Sequence, residues 1–450
     1  MGFPFGLPFR HPAREAVHGM STRSNPTGEP REGIDGPLRI CLLTYRGKPT
    51  CGGQGIYVKR LSRALKELGH FPQVVSGPPY PDLEEDIPLH RLQSLDLYNP
   101  EDLFRTPRPR ELCSAINWVE WVGVSTQGFP EPLTFGFRAF FYLRKKRFPF
   151  DVVHDNQSLS YGILGIRRLG VPVVATIHHP VTVDRKAEIE SAGIWWKRIK
   201  VRRWYSFLPM QARVSRRISH IITVSEKSRE DISTAFRIPP ERFRVVPNGI
   251  DTELFRPLPH IPREENRLIV TNSADMPLKG MRFLLEAVAS ISKHRAINLT
   301  VIGTLKKNGE IERLVKVLKL GRTVEFTGRI EDKDFAVYYA RSTLAVVPSL
   351  YEGFGLPAAE AMACAIPVLT TTGGALPEVV GDAGVLVPPG DSIALAETIV
   401  SLLDNPERRH ALGRAGYERV QKFFTWRRVA ERIADVYREA ILANGRLHQA

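Results

Sequence analysis

Two carboxylates, Glu352 and Glu360, stand with seven residues between them in the string YEGFGLPAAEAMACAIPVL, Tyr351 to Leu369. The intervening Gly353-Phe354-Gly355-Leu356-Pro357 has to turn sharply, and Pro357 suits a first helical turn, where no backbone N–H is needed. The spacing predicts a helix opening there, with Glu360 in its first turn and Glu352 on the loop before it. The unpaired N–H groups of such a turn, with two glycines that let the backbone come close, make an anion site. One loop then holds a diphosphate while two acids accept hydrogen bonds from nearby hydroxyls. The ligand that fits is charged in the middle and hydroxyl-rich at both ends, as a nucleotide sugar is. Read alone, the same string also fits a glycine-rich turn with two solvated glutamates.

Other residues of chemical interest sit at the ends of short apolar runs. Thr50-Cys51-Gly52-Gly53-Gln54-Gly55 follows one run and opens a helical pattern, but it does not satisfy G-x-G-x-x-G. It reads either as an anion-binding loop or as a tight strand-to-helix turn. His178 ends VVATIHHP; at a strand's carboxyl end an imidazole can bond a hydroxyl or shuttle a proton. His179 is the register alternative, because neighbouring strand residues face opposite ways. His154 and Asp155 end another run and are candidates for an acceptor pocket. Asn248 and Gly249 are turn residues, and Glu378 follows Pro377 in a first helical turn, where an acid offsets the dipole. Both pieces read as structural.

These loops need strands and helices to hold them. LRICLLTY (38–45) reads as a buried parallel strand, and Val58, Leu61, Leu65 and Leu68 then recur at helical spacing before Gly69. FPQVVSG completes a βαβ opening, and further strand-like runs lie at 151–156, 171–179, 220–225 and 242–251. RPLPHIPREEN (256–266) is rich in proline and charge and reads as a linker. A second series follows: RLIVTNS, INLTVIG, TVEFTG, TLAVVPS, IPVLTT and GVLVPPG, separated by helical patterns such as GMRFLLEAVASISK. The expected organisation is α/β: a flexible tail over 1–37, rich in proline, glycine and arginine, a doubly wound domain over 38–255, the linker 256–266, a second such domain over 267–425, and a terminal helix over 426–450 that packs back on the first domain. Two such domains place a ligand in the cleft between them, at the carboxyl ends of the strands.

The 450 residues carry a net charge of +15 and a pI near 9.7, which favours an acidic partner. Cys41, Cys51, Cys113 and Cys364 form no C-x-x-C pair, which argues against a disulfide framework or zinc site and for a reduced, cytoplasmic protein. No apolar run approaches the roughly 18 residues that span a bilayer. The first residues, MGFPFGLPFRHPAREAVHGM, lack the unbroken apolar core of a signal peptide, and Met20 is a second candidate start.

The string around Glu352 and Glu360 resembles the E-x7-E signature of the family 4 retaining glycosyltransferases, with the GT-B fold of two Rossmann-like domains facing across a cleft. Other segments match in order, and the resemblance spans roughly residues 38 to 430. It implies metal-independent, cofactor-free transfer of a hexose-type sugar from a nucleoside diphosphate to a hydroxyl acceptor: a glycan, a lipid-linked molecule or a small molecule. Gly53, Gln54 and Gly55 would approach the diphosphate, and His178 the donor sugar. SADMPLKGM matches a family G-R-x-x-x-x-K-G at Lys279 and Gly280, but Ser273 stands where the family carries arginine. Serine supplies one hydrogen bond and no charge, which leaves Arg282 and Arg329 as candidate replacements. Ile330 would meet the nucleobase through its backbone. Gly353, Phe354, Gly355 and Leu356 would offer backbone to the diphosphate, Glu360 would bind the ribose hydroxyls, and Glu352 the transferred sugar. His178, Glu352 and Lys279 are thus the expected catalytic groups, and no metal ligand is expected. TTTGGALPEVVGDAGVLVPPGD (370–391) is the last matching segment. A non-catalytic nucleotide-sugar-binding protein and a sugar-nucleotide epimerase of the same fold are the alternatives.

Residues 185–217 contain ten basic and two acidic side chains interleaved with Trp195, Trp196, Trp204 and Tyr205. Val201, Trp204, Tyr205 and Leu208 fall on one helical face. Such a face suits either packing on the first domain or lying on an anionic membrane, which would put the protein peripherally on the inner face and suit a lipid-linked acceptor. Nucleic acid is not an expected partner, because no recognition motif accompanies the charge.

Overall fold

The computed structural model describes residues 36–48, 53–99, 101–146, 149–271 and 276–447. Two sheets, each wholly parallel, organise these residues. The first contains β1 (Arg39–Thr44), β2 (Phe71–Ser76), β3 (Leu89–Arg91), β4 (Val152–Asn156), β5 (Val173–Ile177), β6 (His220–Thr223) and β7 (Phe243–Val245) in the order β3-β2-β1-β4-β5-β6-β7. The second contains β8 (Arg267–Thr271), β9 (Asn298–Ile302), β10 (Val324–Phe326), β11 (Leu344–Val347), β12 (Val368–Thr371) and β13 (Val385–Val387) in the order β10-β9-β8-β11-β12-β13.

Helices cover both faces of each sheet, which is why the strands read as continuous apolar runs rather than as alternation. In the first sheet Cys41, Leu43, Val153 and Ala175 point to one core, filled by Phe135, Ala139, Ile163 and Val214 from three helices. Their neighbours His154 and Thr176 point the other way, toward Tyr437 of the terminal helix Trp426–Leu447. That helix also lies along the helix Gln54–Glu67. In the second sheet Leu268 and Val270 pack against the helix Met281–Ile291, while Ile269 faces the helices Leu356–Ala363 and Pro406–Phe423.

The chain passes between the sheets twice, and the two passages touch. Ile250 bridges Thr425, and its N–H donates to the carbonyl of Phe424 at 2.6 Å. A Cβ on Gly249 would meet the Trp426 ring at 2.3 Å, so this crossing needs glycine.

Each sheet reverses strand order once, between β1 and β4 and between β8 and β11. Crevices for ligands open at the carboxyl ends of strands beside such points. The loops carrying Gly53, Lys279 and Glu352 follow β1, β8 and β11, so all three lie at those ends.

Candidate active site

Gly355 begins the helix Leu356–Ala363 with φ 102°, a value that favours glycine, and no described side chain caps its first N–H groups. The helix starts one residue earlier than Pro357, so Glu360 is its fifth residue, just past the first turn where the sequence placed it. Behind the loop, a Cβ on Gly374 would lie 2.2 Å from the Glu352 carbonyl, and Ala375 N–H donates to that carbonyl at 2.9 Å. Gly373 and Gly374 therefore act as a floor that fixes the backbone of Glu352.

The Glu352 carboxylate is mostly enclosed. Its Oε1 accepts from Lys279 Nζ at 2.7 Å and from Ser349 Oγ at 2.7 Å. Lys279 ends a short turn, Pro277–Lys279, and Gly280 follows with φ 65°. A Cβ on Gly280 would stand 1.9 Å from the Pro348 carbonyl, so only glycine lets the lysine loop reach the glutamate loop. Gly280 also opens the helix Met281–Ile291, with no side-chain cap among the described residues. One ammonium and one hydroxyl thus meet on one carboxylate, and the loops that carry them each lead into a helix start that no described side chain caps.

Glu360 differs from Glu352. Among the described residues no hydrogen bond reaches its carboxylate, and burial together with the nearby Asp332 pushes its pKa up to about 7. Ile330 packs on the same apolar cluster as Phe354 and Leu356. Phe354 is buried, edge-on to Phe424 at 5.6 Å, and anchors the loop rather than lining a cavity. Arg329 is exposed on the loop after β10. Arg282 pairs with Glu286 on its own helix at 2.9 Å, which removes it as a ready substitute for the missing arginine. Ser273 and the loop residues 49–52 lie outside the described residues.

On the first domain Gly53 precedes the helix Gln54–Glu67 with φ 123°, and a Cβ on Gly55 would stand 2.3 Å from the Lys48 carbonyl. Gln54 Oε1 accepts from Thr44 Oγ1 at 3.4 Å, a long bond that ties the loop to the end of β1. His178 follows β5 directly. Its Nε2 contacts Asn156 Oδ1 at 2.7 Å, its ring meets Tyr57 edge-on at 4.4 Å, and burial lowers its pKa to about 4. Among the described residues the adjoining Asn156 Nδ2 is buried without a hydrogen-bond partner, and the Asn248 side chain adjoins the His178 ring. His179 faces the other way: its Nε2 pairs with Asp184 Oδ2 at 2.8 Å, and its Nδ1 would lie 3.1 Å from a Cβ on Gly353. The two histidines therefore divide the two directions the sequence left open, and only the ring of His179 borders the glutamate loop.

His154 and Asp155 do not line an acceptor pocket. Both are fully buried, with His154 held by Tyr437 and Thr176 at 2.6 Å each. Asp155 accepts from Ser158 Oγ at 2.5 Å and from Leu159 N–H at 2.7 Å, closing the turn after β4. A buried parallel strand end satisfies its polar groups internally, which sequence pattern alone does not distinguish from a cleft position.

Sequence reasoning missed the contacts that join the two domains at this loop. Ser225 Oγ and Ser228 Oγ donate to the Gly353 carbonyl at 2.8 and 2.9 Å. Tyr351 OH donates to Asp231 Oδ2 at 2.7 Å. Glu378, read as an acid in its own helix's first turn, accepts from the N–H groups of Glu226 and Lys227 at 2.7 Å each, capping a helix of the other domain. Ser225-x-x-Ser228 ahead of a charged helix was a readable cap signal; its cross-domain partner was not.

The basic segment also differs from a single amphipathic helix. The helix Trp195–Trp204 ends in the turn Tyr205–Phe207, and Leu208–Ser215 is a new helix. Tyr205 and Leu208 are buried, and Trp204 stacks on Phe129 at 5.0 Å. The outward face is instead Trp195, 72% exposed, with Ile199 and Trp196, over which Lys200 sits at 4.9 Å.

A pair of facing Rossmann-like domains with a lysine, two acids and uncapped helix starts at the strand ends defines a GT-B glycosyltransferase. Residues 51–254 match the family described as Glycosyltransferase Family 4, and residues 257–419 match Glycosyl transferases group 1. The MMP alpha-(1->4)-mannosyltransferase of Mycolicibacterium hassiacum is 46% identical over 90% of this chain and 98% of its own. The chain belongs to the family 4 glycosyltransferases. The D-inositol 3-phosphate glycosyltransferase of Thermobispora bispora is 28% identical over 89% of this chain and 92% of its own. Among solved structures, sucrose-phosphate synthase from Thermosynechococcus elongatus superposes with a TM-score of 0.68 at 26% identity, covering 90% of this chain and all of the other. Anabaena HepE in complex with UDP shares the fold at a TM-score of 0.63 and 17% identity, covering 89% of this chain and 100% of its own.

Proposed function

We propose that this enzyme is a retaining, metal-independent mannosyltransferase that moves mannose from a nucleoside diphosphate to a saccharide hydroxyl, forming an α-(1→4) link. The observation that carries this reading is the 46% identity to the mannosyltransferase, which runs through both domains. The leaving group is a nucleoside diphosphate, and stabilising its charge is the main electrostatic task. Lys279 and the helix starts at Gly280 and Gly355 supply positive potential for it. Before the donor arrives, Lys279 and Glu352 neutralise each other across 2.7 Å. Donor binding then draws the ammonium to the diphosphate and frees Glu352 to hold hydroxyls of the transferred sugar. Glu360 takes the ribose hydroxyls, Arg329 and Ile330 border the base, and Gly53, Gln54 and Gly55 approach the diphosphate from the other domain. Ser273 contributes a neutral donor hydroxyl. His178 contacts the donor sugar, with His179 beside it at the mouth of the loop. The acceptor hydroxyl attacks on the face the diphosphate leaves, and its proton passes to the departing phosphate oxygen.

The acceptor enters over the first domain. The exposed Trp195, Trp196 and Ile199, flanked by Lys197, Arg198 and Lys200, suit an anionic membrane surface and hence a peripheral location. Beside that helix an apolar groove of about 520 Å3 runs between Trp118, Val122, Phe207 and Met210, with Arg203 at its edge. Among the described residues no helix is long and apolar enough to cross a membrane.

Thermal unfolding against UDP, GDP and ADP and their sugar conjugates tests the donor assignment. A ligand at about 100 times its dissociation constant adds about 2.7 kcal/mol. One mannose conjugate should stabilise the wild type and not Glu360→Ala; a response to none of them would overturn the reading.

A further inference from the structure

The helices Tyr161–Arg167 and Leu208–Ser215 pack together and finish near each other, at the amino ends of β5 to β7. Arg167 and Arg168 stand at the end of the first and Arg216 and Arg217 at the end of the second, while Arg242 comes from the short turn before β7. These five arginines line one open cavity of about 640 Å3. No acid is among its lining residues, and among the described residues none of the five forms an ion pair. The donor cleft opens at the carboxyl ends of the same strands, so the cavity lies a strand length away, about 15 Å, on the opposite rim.

Helix ends explain part of this arrangement. Each carboxyl end carries about half a negative charge, so two of them balance about one of the five cations. Local hydrogen bonds hold the forks without neutralising them. Arg167 donates to the Arg217 carbonyl, Arg242 Nη1 to the Arg216 carbonyl at 2.5 Å, and Arg216 Nε to the Ala212 carbonyl at 2.9 Å. Each guanidinium has five N–H donors, so most remain free. Arg168 and Arg217 make no side-chain hydrogen bond among the described residues. Several guanidiniums held in place around one concavity match adjacent phosphates, whose oxygens accept two parallel bonds from each fork.

We infer that this cavity is a second, non-catalytic binding site for a compact polyanion bearing adjacent phosphates, whether free in solution or part of a lipid headgroup. Full-length wild type, the double variant Arg168→Gln/Arg217→Gln and Lys279→Ala are titrated calorimetrically with inorganic tripolyphosphate at low salt. The same proteins, each also carrying Trp195→Ser to weaken capture by the exposed tryptophan face, are sedimented with phosphatidylcholine vesicles containing cardiolipin. The two chosen arginines hold no structural bond, and unchanged melting midpoints check the fold. Tripolyphosphate binding that weakens about tenfold or more in the double variant and persists in Lys279→Ala supports a soluble ligand. Vesicle capture lost in the double variant without tripolyphosphate binding supports a lipid headgroup. Equal binding of both probes by the double variant and wild type, or binding of neither, overturns the site. Donor turnover in the double variant stays at the wild-type level, so the result stands apart from the fate of the mannosyltransferase reading.

Discussion

At the scale of single residues, the two glutamates of the signature differ in ways their sequence spacing does not reveal. Glu352 is already neutralised by Lys279, whereas Glu360 has no partner among the described residues and its pKa is pushed up to about 7. A carboxyl whose pKa is raised on folding keeps its proton in the native state while the unfolded chain has lost it. Stability therefore falls as pH rises from about 4.5 to about 7, then levels off. Glu360→Gln should melt above the wild type at pH 8 and converge with it near pH 4; a constant gap across that range would contradict the assignment. Donor affinity should move oppositely, because only the ionised group accepts from two ribose hydroxyls. It should strengthen from pH 6 to pH 8 in the wild type and stay flat in Glu360→Gln, as a titration at each pH will show. Lys279→Ala should lower kcat by about 10²- to 10³-fold, the range for losing one transition-state charge contact. A KM effect alone would mean that Lys279 binds the donor without serving the chemistry.

At the scale of elements, the glycines decide how loops approach one another. Gly374→Ala would drive a methyl into the Glu352 carbonyl, and activity should fall steeply while the second sheet stays folded by circular dichroism. Glu378 spans the domains by capping the helix Glu226–Phe236. Glu378→Ala should cost about 1 to 2 kcal/mol of stability and enlarge the radius of gyration in small-angle scattering. An unchanged radius would mean that Gly353, Ser225 and Ser228 hold the domains without it. Much of this architecture was readable in the sequence. Twelve of the thirteen strands among the described residues fall within apolar runs such as LRICLLTY and IPVLTT, because parallel strands covered on both faces leave that trace. The exception, β3, is the three-residue edge strand Leu89–Arg91, too short and polar to show a pattern. The loops at strand ends were equally visible. Which groups they satisfy was not: His154, in the middle of β4, is locked to Tyr437, and His178, just past β5, to Asn156. Tyr437 lies 283 residues from His154, a separation no local pattern encodes. The break at Trp204 escaped because periodicity continued through it while the backbone tightened.

At the scale of the whole molecule, the 450 residues carry a net charge of +15, unevenly spread along the sequence. The helix Trp195–Trp204 carries five basic residues and no acid, with tryptophans outward. Its capture by anionic vesicles should fall as salt rises and should weaken in Trp195→Ser; salt-independent capture would point to another surface. The two domains meet where the signature loop is built, so donor binding and domain closure are one event in this account. Its central claim is retaining transfer of mannose at the Lys279–Glu352 centre. The most direct test is proton NMR of the product formed from an α-linked nucleoside diphosphate mannose and a mannose-containing acceptor. The account predicts a new α-anomeric signal with the wild type and its loss in Lys279→Ala and Glu352→Ala. A β-linked product, or undiminished transfer by both variants, would contradict it.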